Sequence, residues 1–133
     1  MASLSGTWLC SETEGMAEVL KAEGVGWMQR SALAAFGHGK DKSTQTISTN
    51  GSHFHFKTGN AWNSIEFDVI ADGSEQDISR VDGTIVNGTV SLEGEKLIFR
   101  MGESTVCREA TAGTMTMTIS CNGKTAVRTY KKQ

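Results

Sequence analysis

Residues 96–130, KLIFRMGESTVCREATAGTMTMTISCNGKTAVRTY, decide the fold. Apolar and polar side chains alternate along them, with Leu97 and Phe99 in one run and Met115, Met117 and Ile119 in another. Alternation with a period of two residues is typical of β-strands that bury one face. Turn-forming pairs separate the runs: Met101-Gly102, Ala112-Gly113 and Asn122-Gly123. The stretch therefore predicts antiparallel strands joined by tight hairpins.

The same pattern extends toward the N-terminus, where Phe54 and Phe56 alternate with His53 and His55. Further turn signals stand at Asn50-Gly51, Asp72-Gly73, Asp82-Gly83 and Glu93-Gly94. Residues 15–36 break the alternation, because helix formers dominate there and apolar residues recur at intervals of three and four. Residues 24–26, Gly-Val-Gly, divide this part into two short predicted helices. The sequence predicts one strand, a helix pair and a long run of strands, which closure into a barrel would leave without exposed edges.

Composition narrows the class of protein. The chain has 133 residues, enough for one domain over 1–133, and its 13 basic and 15 acidic residues give a formal charge of −2. This balance argues against a nucleic-acid-binding protein. Apolar runs such as 32–36 are far shorter than the roughly 20 residues that span a bilayer. The N-terminus carries no recognisable secretory signal, so we expect a cytoplasmic protein, with access to the nucleus left open.

The residues that could carry catalysis form no recognisable motif. Cys10, Cys107 and Cys121 are widely spaced and predict reduced thiols rather than a disulfide framework, and the three histidines do not complete a metal site. Nucleophile-elbow, zinc-protease, P-loop and dinucleotide motifs are all missing. We therefore expect no enzyme activity, no cofactor and no metal.

Two arginines and a tyrosine are the most informative polar residues. Arg108 shares a strand face with Val106, and Arg128 shares one with Tyr130. Alternation does not say whether these faces point to solvent or to the interior. If they point inward, each guanidinium needs an anionic partner, and their neighbours on the same face include no carboxylate. A ligand carboxylate would then match the planar fork of arginine.

Three segments resemble the intracellular lipid-binding proteins, the family of fatty-acid-binding and cellular retinoid-binding proteins. They are Gly6-Thr7-Trp8, the run LKAEGVGW at 20–27, and Arg128-Thr129-Tyr130. The resemblance covers essentially the whole chain. It implies an all-β, ten-stranded antiparallel up-and-down barrel (a β-clam), with a helix-turn-helix cap between the first and second strands.

The resemblance also implies the site. Arg108, Arg128 and Tyr130 match the family's carboxylate-binding triad. The implied cavity and portal residues are Met16, Leu20, Val25, Gln29, Leu33, Phe54, Phe56, Trp62, Phe67, Leu97, Phe99, Met115, Met117 and Ile119. Ordinary core packing is the alternative role for the apolar members of this set. The implied partner is a fatty acid or another hydrophobic acid, carried by a monomer that contacts membranes transiently through the helix cap.

The sequence leaves three alternatives open. A retinoic-acid-binding member of the same family would use the same triad. An extracellular lipocalin-like or avidin-like binder shares the Gly-x-Trp motif but lacks the helix pair. A barrel enzyme of the same superfamily would turn over its bound ligand.

Overall fold

The computed structural model describes residues 4–22, 24, 42–59, 64–79 and 85–133. These ranges contain ten strands and one helix. In chain order they are β1 (Gly6–Glu14), α1 (Met16–Ala22), β2 (Thr44–Asn50), β3 (His53–Gly59), β4 (Ser64–Ile70), β5 (Asp72–Ser79), β6 (Ile85–Glu93), β7 (Lys96–Met101), β8 (Ser104–Thr111), β9 (Thr114–Cys121) and β10 (Lys124–Lys132).

The strands form one antiparallel sheet in the order β4-β3-β2-β1-β10-β9-β8-β7-β6-β5. Pairing of β1 with β10 brings the first and last strands of the chain together. The two ends of the sheet, β4 and β5, meet through the side chain of Gln76. Its Nε2 donates to the Ile70 carbonyl at 2.7 Å, and the Ile70 N–H donates to Gln76 Oε1 at 2.9 Å. The sheet is thus a nearly closed barrel, and the predicted ten-stranded architecture is confirmed.

The turn predicted at Asp72-Gly73 is wrong. These residues begin β5, and only Ala71 separates them from the end of β4. The pair forms an irregularity inside the strand, where the register to β6 shifts between Asp72 and Glu75 and Gly73 has a φ of +80°. Asp72 Oδ1 accepts a hydrogen bond from the Ser74 N–H at 2.9 Å. An Asp-Gly pair favours this local geometry as readily as a hairpin turn, so the sequence signal marked a bulge.

Helix α1 covers β9 and β10. It buries Met16, Val19 and Leu20, the spacing that predicted the first helix. The predicted second helix and the Asp82-Gly83 turn lie outside the described residues. Within the described ranges, no helix is long and apolar enough to cross a membrane.

Interior and exterior side chains alternate along the strands. In β9 every second residue is buried, from Met115 to Cys121. Trp8 fills part of the interior, and its indole N–H donates to the Leu4 carbonyl at 2.8 Å. Cys107 is half-buried on the side of β8 opposite Arg108, whereas Cys10 and Cys121 are buried; all three are free thiols. Most of the large buried side chains therefore lie inside the barrel.

Candidate functional site

The two arginines lie in one row across three neighbouring strands. Met117 on β9 is the Cα partner of Arg108 on β8 and also of Arg128 on β10. Each arginine side chain is buried, with a relative exposure of 7%. The interpretation that places them on the solvent face is therefore wrong. Closure of the sheet turns this row toward the interior, a direction that alternation within a strand leaves open.

Arg108 has an unusual set of neighbours. Its Nε–H donates to Gln45 Oε1 at 3.1 Å. Its guanidinium carbon lies 4.8 Å from the ring centre of Phe56 and 4.9 Å from that of Phe99, within the range of cation–π attraction. Among the described residues, Nη1 is buried without a hydrogen-bond partner, and Arg108 forms no ion pair. The side chain is held by one neutral amide and two aromatic rings.

Burial is the main reason that the pKa of Arg108 is lowered to about 10; Tyr130 opposes this shift, and the positive charge of Arg128 adds to it. Removal from water disfavours the charged form of a guanidinium, which is the larger cause. A pKa near 10 still leaves Arg108 protonated at neutral pH. The interior therefore holds a cation without a carboxylate partner from the described part of the chain.

Arg128 and Tyr130 share the inner face of β10. The Nη2 of Arg128 lies 3.7 Å from Cys10 Sγ, and its guanidinium carbon lies 5.5 Å from the ring centre of Tyr130. Tyr130 is almost fully buried. The three side chains of the predicted triad are thus all interior, on strands separated only by β9.

Aromatic and aliphatic side chains surround this polar centre. Phe56 stacks on Phe67 with a centroid distance of 5.0 Å, and its ring meets Phe99 edge-on at 5.7 Å. The predicted cavity residues that are buried are Met16, Leu20, Phe54, Phe56, Leu97, Phe99, Met115, Met117 and Ile119, while Phe67 is half-buried. Val25, Gln29, Leu33 and Trp62, predicted as portal residues, lie outside the described residues.

Sequence reasoning missed Gln45. This residue is 3% exposed on β2, and its Nε2 donates to Met117 Sδ at 3.5 Å while its Oε1 accepts from Arg108. A signal was available, because Gln45 has the same strand parity as Ile47, a large apolar residue suited to the interior. The partner could not have been found, because β2 and β8 are far apart in the chain.

The outer surface offers a recess of a different kind. It has a volume of about 310 Å³ and lies at the ends of β2, β3 and β4, lined by Thr44, Thr46, Lys57, Thr58, Gly59 and Ser64. Thr44, Thr46 and Lys57 have the parity opposite to that of the inward-facing Gln45 and Phe56, so the recess opens mainly on the outer side of the barrel. Because the lining residues in the described part of the chain are mostly polar and none of them is aromatic, the recess suits an apolar acid less well than the interior.

The described residues contain no group of three or more His, Cys, Asp or Glu side chains placed to bind a metal ion. The interior side chains offer hydrogen-bond donors, positive charge and apolar surface. Such a set binds an anion with an apolar body.

Comparison with known proteins finds fatty-acid-binding proteins among the relatives and the structural neighbours of this chain. No protein-family model matches the chain. Sodium/calcium exchanger regulatory protein 1 of Doryteuthis pealeii is 27% identical over 98% of this chain and 97% of its own length. Intestinal fatty acid-binding protein of Bos taurus is 26% identical, with 98% and 99% of the two chains covered. The structure of the REP1-NXSQ fatty acid transporter superposes with a TM-score of 0.85 and 26% identity, covering 98% of this chain and 96% of that chain.

These matches span nearly the full length of each protein. The resemblance to intracellular lipid-binding proteins is confirmed, because relatives and structural neighbours include fatty-acid-binding proteins of that family.

Proposed function

We propose that this protein is a non-covalent carrier of long-chain fatty acids or similar hydrophobic carboxylic acids. The ligand carboxylate binds Arg108, Arg128 and Tyr130 inside the barrel. The observation that carries the proposal is the buried, protonated Arg108, whose one hydrogen bond within the described structure goes to a neutral amide. An uncompensated buried cation is costly, and a bound carboxylate would remove that cost.

The apolar residues around the arginines supply the rest of the binding energy. Each methylene group transferred from water to an apolar environment contributes about 0.8 kcal/mol, so a long acyl chain provides most of the affinity. The arginines then select the acid and fix its orientation. The phenylalanine cluster of Phe54, Phe56 and Phe67 supports this division of roles, because it provides apolar surface close to Arg108.

The relatives support a carrier rather than an enzyme, since those named above bind or transport fatty acids or regulate another protein. We extend the proposal to a monomeric, cytoplasmic protein without a cofactor. Ligand exchange would use a portal formed by Met16, Leu20, Val25, Gln29, Leu33 and Trp62, with transient membrane contact through the helical cap. Buried Met16 and Leu20 on α1 support this, because α1 covers one side of the barrel.

The experiment compares oleate with methyl oleate, which has the same chain but no charge. Replacing Arg128 by Ala should weaken oleate binding by about tenfold or more and methyl oleate binding much less, since a hydrogen bond to a charged group contributes about 1.5–3 kcal/mol. Lys124→Ala removes an exposed cation from the same strand and serves as the matched control. Equal losses for acid and ester in Arg128→Ala would refute the head-group assignment.

The second candidate ligand is retinoic acid, which also carries a carboxylate. Titrating it into the same variants compares it with oleate. Both ligands should lose affinity in Arg128→Ala, because both carry a carboxylate. The acid that binds more tightly to the unaltered protein is the better candidate for the class of the natural ligand. Conversion of either ligand into a product during the titration would contradict the carrier role.

A further inference from the structure

Gln45 reaches Arg108 across the barrel interior rather than along the sheet. In the sheet order β2 and β8 are separated by β1, β10 and β9. Four strand spacings amount to about 19 Å along the sheet, yet the Gln45 Oε1 and Arg108 Nε atoms are 3.1 Å apart. The bond therefore joins opposite walls and fixes Arg108 at a defined place in the interior.

The bond also decides which edge of the guanidinium remains available. A guanidinium offers two edges to a carboxylate: one formed by Nε and Nη2, the other by Nη1 and Nη2. Gln45 Oε1 occupies the Nε position and so blocks the first edge. Nη1, which belongs to the second edge, is buried without a partner among the described residues.

The neutrality of Gln45 matters as much as its position. An amide oxygen accepts the Nε–H bond and leaves the positive charge of Arg108 uncompensated. A glutamate has nearly the same size and would also accept this bond, but its charge would pair with Arg108. A bound carboxylate would then meet an arginine that is already neutralised.

We propose that Gln45 is the positioning residue that sets the acid selectivity of the site: it presents Arg108 end-on, through Nη1 and Nη2, and leaves its charge for the ligand. This inference rests on the proposed function. Beyond that function, a residue on β2, across the interior from Arg108 on β8, controls the selectivity for acids over neutral lipids.

The test measures the ratio of oleate to methyl oleate affinity in Gln45→Glu. We expect the preference for the acid to fall by about tenfold or more, because the new carboxylate competes for Arg108. Gln133→Glu makes the same change of charge at the exposed C-terminus and should keep the ratio of the unaltered protein. A Gln45→Glu protein with an unchanged ratio would overturn the inference. Absence of any acid preference in the unaltered protein would instead refute the proposed function itself.

Gln45→Leu tests the orientation separately and avoids a buried charge. This variant frees the Nε edge while Arg108 keeps its charge, so the preference for oleate should persist and the carboxylate should shift toward Nε. The carboxyl signal of oleate labelled with ¹³C at carbon 1 reports that shift by NMR. An unchanged carboxyl signal in Gln45→Leu would show that Gln45 does not orient the contact, and would overturn the inference even if Gln45→Glu failed to fold.

Discussion

Arg108 and Arg128 stand on alternate strands with Met117 as their common cross-strand neighbour. Two strand spacings place their Cα atoms about 10 Å apart on the same inner face. The two buried guanidinium groups repel each other, and the charge of Arg128 contributes to the lowered pKa of Arg108. The interior thus holds two like charges on one face, and an anion bound between them would be attracted by both.

The first prediction concerns the pH dependence of binding. Since the pKa of Arg108 is lowered to about 10, its charge is lost at a lower pH than that of an exposed arginine. Oleate affinity should therefore decrease as the pH rises through about 10, while methyl oleate affinity changes little. Titration calorimetry from neutral pH to about pH 10.5, half a unit above that pKa, measures the affinities of oleate and methyl oleate. Parallel pH profiles for acid and ester would contradict the role of Arg108.

The same pKa shift makes the stability of the free protein rise with pH, in the range where oleate affinity falls. Folding lowers the pKa of this cation, so the unfolded chain binds its proton more tightly. The destabilising effect of Arg108 is fully present at neutral pH and declines as the pH rises through about 10. The free energy of unfolding is measured against pH for the unaltered protein and for the Gln45→Leu and Arg108→Leu double variant. The double variant removes the cation without leaving Gln45 unpaired, so the difference between the two profiles isolates this effect.

The second prediction concerns Gly15, which joins β1 to α1. It has a φ of +76°, and a Cβ there would collide with the backbone carbonyl oxygen of Thr125. Gly113 has a similar φ of +82° but open space around it. Gly113→Ala should lower the free energy of unfolding by about 1 kcal/mol, the cost of the left-handed backbone alone. Gly15→Ala should lower it clearly more, by about 3 kcal/mol, in urea denaturation. Equal losses in the two variants would contradict the close approach of Gly15 to β10.

The third prediction concerns the closure of the barrel by Gln76. Its amide pairs with both backbone groups of Ile70, where β4 and β5 meet. Gln76→Ala should lower the free energy of unfolding by about 1 kcal/mol and speed hydrogen exchange at the Ile70 amide. Gln133→Ala, which alters a glutamine at the exposed C-terminus, is the control. Unchanged exchange at Ile70 would mean that the side chain does not hold the two strands together.

The fourth prediction concerns His55 on the outer face of β3. Asp68 Oδ1 lies 2.8 Å from His55 Nδ1, and this hydrogen bond raises the pKa of His55 above 6.5. NMR titration should show the raised value and its fall in Asp68→Asn. Glu66→Gln should have a smaller effect, since Glu66 is the weaker contributor. Because the folded pKa is raised, the stabilisation from this pair is complete below pH 6.5 and is lost as the pH rises through the folded value. An identical pKa in Asp68→Asn would rule out the pairing.

The strands and most hairpins follow from local sequence. The alternation of Met115, Met117 and Ile119 with polar residues is sufficient to predict β9. In the turn that follows it, Asn122 and Gly123 both have positive φ values, which these two residue types adopt most readily. The failure at Asp72-Gly73 shows the limit of such signals, because a bulge and a hairpin place similar demands on the backbone. Local preference determines that the chain changes direction or twist at such a pair. Pairing between strands determines whether the result is a hairpin turn or a bulge.

The arrangement of the candidate site depends on the tertiary structure more than the strands and hairpins do. The sequence predicted Arg108, Arg128 and Tyr130 as site residues through parity and family resemblance, but parity alone leaves two faces equivalent. Closure of the sheet makes one face the interior, and only then are both guanidinium groups removed from water. The contact between Gln45 and Arg108 depends on that closure entirely. It joins residues 63 positions apart on opposite walls, and the position of one wall relative to the other is fixed by the pairing of all the intervening strands rather than by any local pattern.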